Sequence, residues 1–255
     1  MHRLVPSAAR SKARRAAVAC VAIASLLVGA ASSADDGPAA KHVNPDPLEK
    51  MNRATYRFND IFDRSLARPV ARAYRAVLPE FARRGIGNFF ANLEYSTVIV
   101  NDVLQLKLKN AAADTTRLVV NTTFGIGGLT DPASKMGLTA HNEDFGQTLG
   151  HWGVRPGPYL VLPILGPSDV RDAPGKVVDH YTSAASLIED RKVRYAVTGA
   201  ELLERRAELL AADEAIDLAF DPYALIRNAY LQRREYLVRD GLLPDDTGYD
   251  DPLGP

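Results

Sequence analysis

Apolar residues recur at intervals of three and four through most of this 255-residue sequence, and this spacing restricts the chain to a mainly helical fold. The clearest stretch follows Asp46, a good N-cap residue, and Pro47, which suits the first helical turn; Glu49 completes a capping-box spacing. The apolar face of the predicted helix consists of Leu48, Met51, Thr55, Phe58, Phe62 and Leu66. Arg68-Pro69 is predicted to end it, because a residue before proline disfavours helical geometry.

The same periodicity predicts four further helical regions, followed by a last helix. They cover residues 70–77, 86–110, 111–124 and 187–218, and Pro79 opens a turn after the first of them. Residues 97–100 alone are also compatible with a strand. Asp221-Pro222 is predicted to cap the last helix, and Gly241 to end it.

One stretch, residues 146–175, breaks the helical pattern with six glycines and five prolines. It contains an apolar run at 159–165, interrupted by Pro163. Proline is excluded from a helix interior and from a central strand. This run is therefore expected to be buried in the protein, or to contact lipid or a partner.

The N-terminus has the pattern of a secretory signal peptide: basic residues, an apolar run at 16–31, and a small-residue cleavage site ending at Ala34. We favour cleavage of residues 1–34 over a membrane anchor, because the run is short and rich in alanine. Residues 35–45 are predicted to be a flexible tether, and residues 242–255 a disordered acidic tail. The domain between them spans residues 46–241.

Cleavage would also remove Cys20, the one cysteine, so the expected mature chain starts near Asp35 without an acyl group or a disulfide. The whole chain has 31 basic and 31 acidic residues, and the signal carries five of the basic ones. The mature net charge is then near −5, which argues against nucleic-acid binding.

Three motifs are candidates for a phosphate-binding, catalytic or metal site, and a structural interpretation is favoured for each. Residues 125–128 do not match a phosphate-binding loop and suit a helix C-cap or hinge. Ser168-Asp169 lacks a nucleophile elbow and suits a helix N-cap. A third group, without zinc-ligand spacing, is expected to be solvated: His141, Glu143, Asp144 and His151. We therefore expect no metal, no cofactor and no catalytic residue.

Nine segments in one order resemble the MlaA (VacJ) family of outer-membrane phospholipid-transport proteins. The resemblance covers roughly residues 44–240. The matching segments are DPLEKMNR at 46–53, YRFN at 56–59, RPV at 68–70, NFFANLE at 88–94, NTTFGIGG at 121–128, FGQTLGHWGV at 145–154, GPYLVLP at 157–163, DPY at 221–223 and RNAY at 227–230.

The resemblance implies an all-α, ring-like bundle of amphipathic helices, with the Gly/Pro-rich irregular apolar segment, lying in one leaflet of the outer membrane at its periplasmic face. Such a protein takes misplaced phospholipid from the outer leaflet through an amphipathic channel and maintains lipid asymmetry. The implied partners are phospholipid, a trimeric porin and a soluble, MlaC-like periplasmic carrier. The alternatives are a periplasmic scaffold without lipid, and a lipid hydrolase, for which no nucleophile and base are found.

Two groups of residues are predicted to carry this function. Helical spacing equally permits core packing for Phe58 and Phe62, whereas Trp152 and Tyr159 suit a membrane interface. The predicted channel or membrane contacts are Arg57, Phe58, Phe62, Phe89, Phe90, Trp152, Tyr159, Leu160, Val161, Leu162, Ile164 and Leu165. Glycines at both ends predict that residues 125–146 form either a gating loop or an ordinary surface loop. The gating residues would be Gly125, Ile126, Gly127, Gly128, Leu129, Met136 and Leu138.

Arginines are interspersed with apolar residues along the first two predicted helices. Arginine binds phosphate through a planar fork of donors, so these side chains are candidates for headgroup binding. The sequence alone does not determine which of them face a channel. They are Arg53, Arg57, Arg64, Arg68 and Arg72.

Overall fold

The computed structural model describes residues 46–242, and this part of the chain is mainly helical, as predicted. The expected signal peptide and tether, and all of the expected acidic tail except Leu242, lie outside the described residues. The α-helices are α1 Glu49–Phe62, α2 Arg68–Val77, α3 Glu80–Leu104, α4 Leu108–Thr123, α5 Pro132–Lys135, α6 Phe145–His151, α7 Asp172–Thr182, α8 Arg191–Glu208, α9 Asp213–Leu218 and α10 Pro222–Val238.

Helices α1 and α2 follow one another without leaving helical geometry, so the prediction that Arg68-Pro69 ends the first helix is wrong. A π-helical segment, Asp63–Ala67, joins them, and the Arg68 N–H donates to the Asp63 carbonyl. Pro69 then lies in the first turn of α2. The π-helical segment directly before it changes the hydrogen-bond register, and both such segments and prolines are recognised irregularities within a continuous helix.

The expected N-cap role of Asp46 is also wrong, because its carboxylate is used for tertiary contacts. Helix α1 begins at Glu49 without a side-chain cap. Asp46 is buried; it accepts a hydrogen bond from Asn52 Nδ2 at 2.7 Å and others from the Tyr223 hydroxyl and Arg227 Nη1. The residue therefore ties the start of α1 to α10.

The third helix ends six residues earlier, and the fourth begins three residues earlier, than the periodicity suggested. Helix α3 runs through residues 97–100, which excludes the strand alternative, and ends at Leu104. Leu106 has a φ of 60°, a left-handed conformation that an α-helix cannot contain, so α4 starts anew at Leu108. The region predicted as one helix at 187–218 is likewise divided, into α8, a 3-10 turn Leu209–Ala212, and α9.

The Gly/Pro-rich stretch contains a short antiparallel hairpin between two helices. Strand β1, Tyr159–Leu162, pairs with β2, Gly166–Asp169, with Tyr159 opposite Asp169. Pro163 lies in the turn, where it removes no ladder hydrogen bond. The expected N-cap role of Ser168 is wrong: Ser168 lies in β2, and Asp169 accepts the backbone hydrogen bond from Asp172 at the start of α7.

Two asparagines of α1, seven residues apart, hold the hairpin. Asn52 Nδ2 donates to the Tyr159 carbonyl and Asn52 Oδ1 accepts from the Val161 N–H, both at 2.9 Å. Asn59 makes the same paired contact with the Leu162 carbonyl and the Ile164 N–H, at 2.9 and 2.8 Å. Each side-chain amide thus pairs with the backbone as a neighbouring strand would.

Ion pairs join α1 and α2 to the C-terminal helices. Arg53 binds Asp221 at 2.6 Å, and Asp221 also caps α10 as predicted. The buried Arg68 contacts Asp63, Asp213 and Asp217, and Arg206 of α8 binds Asp63 and Asp213. Arg64 binds Asp60 and Asp217. Three of the five candidate headgroup arginines, Arg53, Arg64 and Arg68, are therefore occupied by acidic partners.

The apolar core consists of small clusters. One contains Phe145, Leu149 and Val178, and the other Tyr159, Val161 and Tyr223. Among residues 46–242, no helix is both long enough and apolar enough to cross a bilayer.

We predict that Asn52→Ala lowers the free energy of unfolding by about 2–4 kcal/mol, because it leaves the Tyr159 carbonyl and the Val161 N–H buried without a partner. Asn59→Ala should have a smaller effect, since its contacts are less buried. Chemical denaturation in detergent measures both. Asn228→Ala, at an exposed asparagine of α10, is the control and should cost less than about 0.5 kcal/mol. An equal loss of unfolding free energy at positions 52 and 228 would contradict the role of Asn52 in holding the hairpin.

Candidate functional site

The described part of the chain places polar groups inside and many apolar groups outside. Fifteen hydrophobic residues are buried, against nineteen polar or charged residues, while 33 large hydrophobic side chains are exposed. Soluble monomers rarely expose so much apolar surface, and such surfaces mark contacts with lipid or with another protein. The distribution indicates a protein whose outer surface meets an apolar environment.

Helix α1 shows this inversion most clearly. The side facing the protein carries Asn52, Tyr56 and Asn59, which contact the hairpin and α10. Met51, Phe58 and Ile61, which point away from these contacts, are 51–65% exposed. The apolar spacing found in the sequence therefore marks an outward face. For Phe58, the core-packing alternative is wrong because the polar face of α1 occupies the interior.

The remaining predicted contact residues of the helices divide between surface and interior. Arg57 is exposed, Phe62 and Phe89 are half-buried, and Phe90 is 9% exposed and packs edge-on against Phe89. Phe90 thus lies in the interior, and its role as a channel or membrane contact stays a prediction.

The predicted contact residues in the hairpin and at the end of α6 also divide into buried and exposed ones. Tyr159 and Val161 are buried, Leu160 and Leu162 are half-buried, and the tip residues Ile164 and Leu165 are 59% and 58% exposed. Trp152 is half-exposed, and its indole Nε1 donates to the Leu104 carbonyl at 3.2 Å. An apolar ring at the surface with its one donor satisfied by the protein can lie among lipid chains.

The predicted gating loop is fixed at its middle and apolar at its surface. Asp131 accepts hydrogen bonds from Arg117 and Asn121 of α4, and Asn88 of α3 donates to the Leu129 carbonyl. Gly127 and Gly128 have φ values of 70° and 91°, which glycine adopts without strain. Ile126, Leu129 and Met136 are exposed, and Leu138 is half-buried.

A cavity of about 400 Å³ lies between α2, α3 and α8, and none of its lining residues was predicted as a site residue. Its walls combine charged groups with small apolar side chains, an amphipathic lining. The lining residues are Tyr74, Arg75, Arg83, Glu204, Ala207, Glu208 and Ala211. Their sequence signal was weak, because residues 74–83 and 204–211 come together only when α8 packs against α2 and α3.

Several polar atoms of this cavity lack a hydrogen bond of normal geometry. The Tyr74 hydroxyl, Arg83 Nε and Glu204 Oε2 are buried and form no hydrogen bond of normal geometry. Burial, with the nearby Glu204 carboxylate as a second cause, raises the pKa of Tyr74. Gly87 of α3 leaves room for the acids: a Cβ there would lie 3.4 Å from Glu204 Oε1 and 3.8 Å from Glu208 Oε1.

Three of the four polar residues considered as metal ligands contact other groups, and the expectation that all four are solvated is wrong for Glu143, which is buried. His141 Nδ1 lies 2.7 Å from Asp114 Oδ2, Glu143 contacts Gln105 and Lys107, and Asp144 caps α6 and pairs with Arg234; His151 is exposed. Within residues 46–242, no group of three or more His, Cys, Asp or Glu side chains is arranged to hold a metal ion.

A buried carboxyl pair lies beneath His141. Both oxygens of Asp102 are buried without a hydrogen-bond donor, and Asp114 of α4 is fully buried next to it. Burial, followed by the charges of Asp114 and Glu143, raises the pKa of Asp102 to about 7. Two adjacent carboxyls can form a hydrogen bond with each other only when one is protonated, and the raised pKa of Asp102 favours its protonated form.

Comparisons with known proteins agree with one another. A family model described as MlaA lipoprotein matches residues 44–237. The chain is 37% identical over 222 residues to the intermembrane phospholipid transport system lipoprotein MlaA of Escherichia coli K12, covering 86% of both chains. The protein of that name from Haemophilus influenzae is 32% identical over 219 residues, covering 79% of this chain and 85% of the relative.

A solved structure, from work on the structural basis for maintenance of bacterial outer membrane lipid asymmetry, has the same fold. It superposes with a TM-score of 0.68 at 36% sequence identity. The match covers 76% of this chain and 98% of the solved one.

We predict that Asp102→Asn stabilises the fold at alkaline pH. Because the folded pKa lies above the ordinary value of 3.8, protonated Asp102 stabilises the protein at low pH, and this contribution is lost as pH rises from about 4 to 7. Asparagine stays neutral throughout. Relative to wild type, the variant should gain roughly 2–4 kcal/mol more at pH 8 than at pH 4. Unfolding titrations at both pH values measure this, with the exposed Glu214→Gln as control. A gain that does not vary with pH would contradict the prediction.

Proposed function

Because this chain belongs to the MlaA lipoprotein family, we propose that it transports phospholipid at the outer membrane and maintains the lipid asymmetry of that membrane. The relatives' names supply the transport role, and the outward apolar surface is the single structural observation that best supports it. The protein would lie in the inner leaflet at the periplasmic face. It would remove misplaced phospholipid from the outer leaflet and deliver it to a soluble periplasmic carrier.

The exposed side of α1 and the hairpin tip suit a protein that lies within one leaflet. A helix with apolar residues on one side inserts that side among lipid chains and keeps its polar side away from them. Here the polar side binds the hairpin through Asn52 and Asn59, so insertion leaves no backbone group unsatisfied there. A trimeric porin beside the protein would cover part of the same apolar surface.

The transport is proposed to proceed without bond cleavage. Ser168, the one serine weighed as a nucleophile, is fully buried in β2, where substrate has no access. The amphipathic cavity between α2, α3 and α8 instead offers charged groups for a headgroup and alanines for the adjoining carbon atoms. A lipid-free scaffold is the second candidate; it has no use for a cavity with unsatisfied charged groups.

Deletion of the gene should raise the phospholipid content of the outer leaflet and increase sensitivity to detergent and bile salts. Wild-type protein expressed in the deletion strain should restore both properties. The purified protein should need detergent and carry phospholipid, whereas a scaffold would be extracted by salt and carry none. Unchanged surface phospholipid in the deletion strain would refute the proposed function.

The membrane-facing role of α1 predicts that Ile61→Glu releases the protein from membranes. A charged side chain within the apolar region costs about 2–3 kcal/mol, which corresponds to at least tenfold weaker partitioning. Flotation with liposomes measures the membrane-bound fraction, and circular dichroism checks the fold. Gln232→Glu, which adds the same charge at an exposed polar position of α10, should leave flotation unchanged.

The loop at 125–146 is proposed to gate lipid passage, since its glycine-rich end adjoins exposed Ile126, Leu129 and Met136. Its contact with α3 offers a place to fix it: a Cβ at Gly85 would lie 3.5 Å from the Leu129 carbonyl oxygen. Cysteines at positions 85 and 129 should form a disulfide under oxidising conditions. The oxidised protein should fold yet fail to restore detergent resistance, and reduction should rescue it. If the oxidised and the reduced protein restore detergent resistance equally, residues 125–146 form an ordinary surface loop and not a gate.

A further inference from the structure

The cavity between α2, α3 and α8 brings together two positive and two negative side chains that do not pair with one another. Arg75 and Arg83 line it with Glu204 and Glu208. Within the part of the chain that the structure describes, none of these four forms an ion pair. Arg83 Nε and Glu204 Oε2 are in addition buried without any hydrogen-bond partner, and Glu204 as a whole is 93% buried, its relative exposure being 7%.

Neighbouring charges on the same helices behave differently. Arg84, adjacent to Arg83 on α3, binds Glu80; on α8, Arg205 binds Glu94 and Glu201, and Arg206 binds Asp63 and Asp213. These three neighbouring arginines are thus paired, whereas the four charged residues that line the cavity are not paired within residues 46–242. A buried polar group without a partner costs stability, so a native protein that keeps several in one cavity is expected to satisfy them with a ligand.

The charges define the chemistry of that ligand. Guanidinium groups bind phosphate oxygens through paired N–H donors, and carboxylates bind ammonium groups, whose charge an aromatic face such as that of Tyr74 also attracts. A ligand with phosphate alone would satisfy the arginines and leave Glu204 unpaired and repelling. A ligand that carries both charges satisfies both sets, and a cavity of about 400 Å³ lies in the size range of small-molecule sites.

We propose that this cavity is a selective site for zwitterionic phospholipid headgroups, with Arg75 and Arg83 binding the phosphate and Glu204 and Glu208 binding the ammonium group. Ala207 and Ala211 leave room for the carbon atoms that connect the headgroup to its chains. The assignment rests on the proposed phospholipid transport and deepens it: the protein favours phosphatidylethanolamine-type headgroups over phosphatidylglycerol-type ones.

The test is calorimetric titration of the full-length protein, stripped of lipid in a non-ionic detergent, with three probes. They are dihexanoyl-phosphatidylethanolamine, dihexanoyl-phosphatidylglycerol and the chain-free glycerophosphoethanolamine. Wild-type protein should bind the first about tenfold or more tightly than the second, since the second lacks one charge-assisted contact. The chain-free probe should bind more weakly than the first, because the headgroup is proposed to be recognised as part of a lipid.

Two substitutions separate the two halves of the site. Glu204→Gln should weaken binding of the ethanolamine lipid about tenfold and leave the glycerol lipid unchanged or tighter, which abolishes the selectivity. Arg83→Gln should weaken both lipids. Arg84→Gln, at the adjacent arginine that pairs with Glu80 outside the cavity, is the matched control and should bind both like wild type. Circular dichroism verifies the fold of each variant.

Equal affinity of the wild-type protein for the two lipids would overturn the selectivity, as would unchanged selectivity in Glu204→Gln. Binding of the chain-free probe as tight as that of the lipid would assign the cavity to a soluble zwitterion and overturn the headgroup site. If Glu204→Gln does not fold, the wild-type comparison still tests the selectivity, and Arg83→Gln still tests whether the lipids bind in this cavity. Each of these results leaves phospholipid transport intact, because that function fails only if the deletion strain has normal surface phospholipid.

Discussion

The structure depends on the pairing of polar groups in its interior, because its apolar side chains are largely turned outward. Asn52 and Asn59 replace a missing neighbouring strand for the hairpin, and Asp46 joins the start of α1 to α10. The network of Asp63, Arg68, Arg206 and Asp213 holds α1 and α2 against α8 and α9. In a protein surrounded by water, these contacts would add to a hydrophobic core. Here they take over much of its role, since the apolar clusters that residues 46–242 form are small.

This arrangement has a physical reason in a membrane environment. A lipid leaflet accepts apolar side chains at the surface and cannot satisfy backbone or charged groups, so those groups must find partners within the protein. In the proposed location within a leaflet, the outward apolar face and the pairing of polar groups in the interior would follow from one solvent. Among the described residues, ten buried side-chain N and O atoms have no hydrogen-bond partner, and three of them, on Tyr74, Arg83 and Glu204, line the same cavity.

The arginines show how far a sequence pattern can be taken. Their interspersion with apolar residues in α1 and α2 suggested headgroup binding, yet Arg53, Arg64 and Arg68 hold the fold together through acidic residues more than 140 positions away. The guanidinium groups that remain available in the cavity belong to Arg75 and Arg83. Arg84 differs from Arg83 by a local partner, Glu80, four residues earlier on α3. For Arg53, Arg64 and Arg68, in contrast, the acidic partners are brought near by helix packing.

The sequence by itself determined the helical fold, the helix cap at Asp221 and the turns at glycine, because helix periodicity, proline and glycine act locally. It also determined the family, because the matching segments occur in one order. It also located the apolar faces. Only the tertiary structure decided whether those apolar faces point outward or inward. It also showed that the helix continues past Pro69 through a π-helical turn, that Asp46 makes tertiary contacts, and that residues 74–83 and 204–211 form a cavity. Periodicity is the same for an inward and an outward apolar face; the direction is set by which polar side chains find partners across more than a hundred residues of chain.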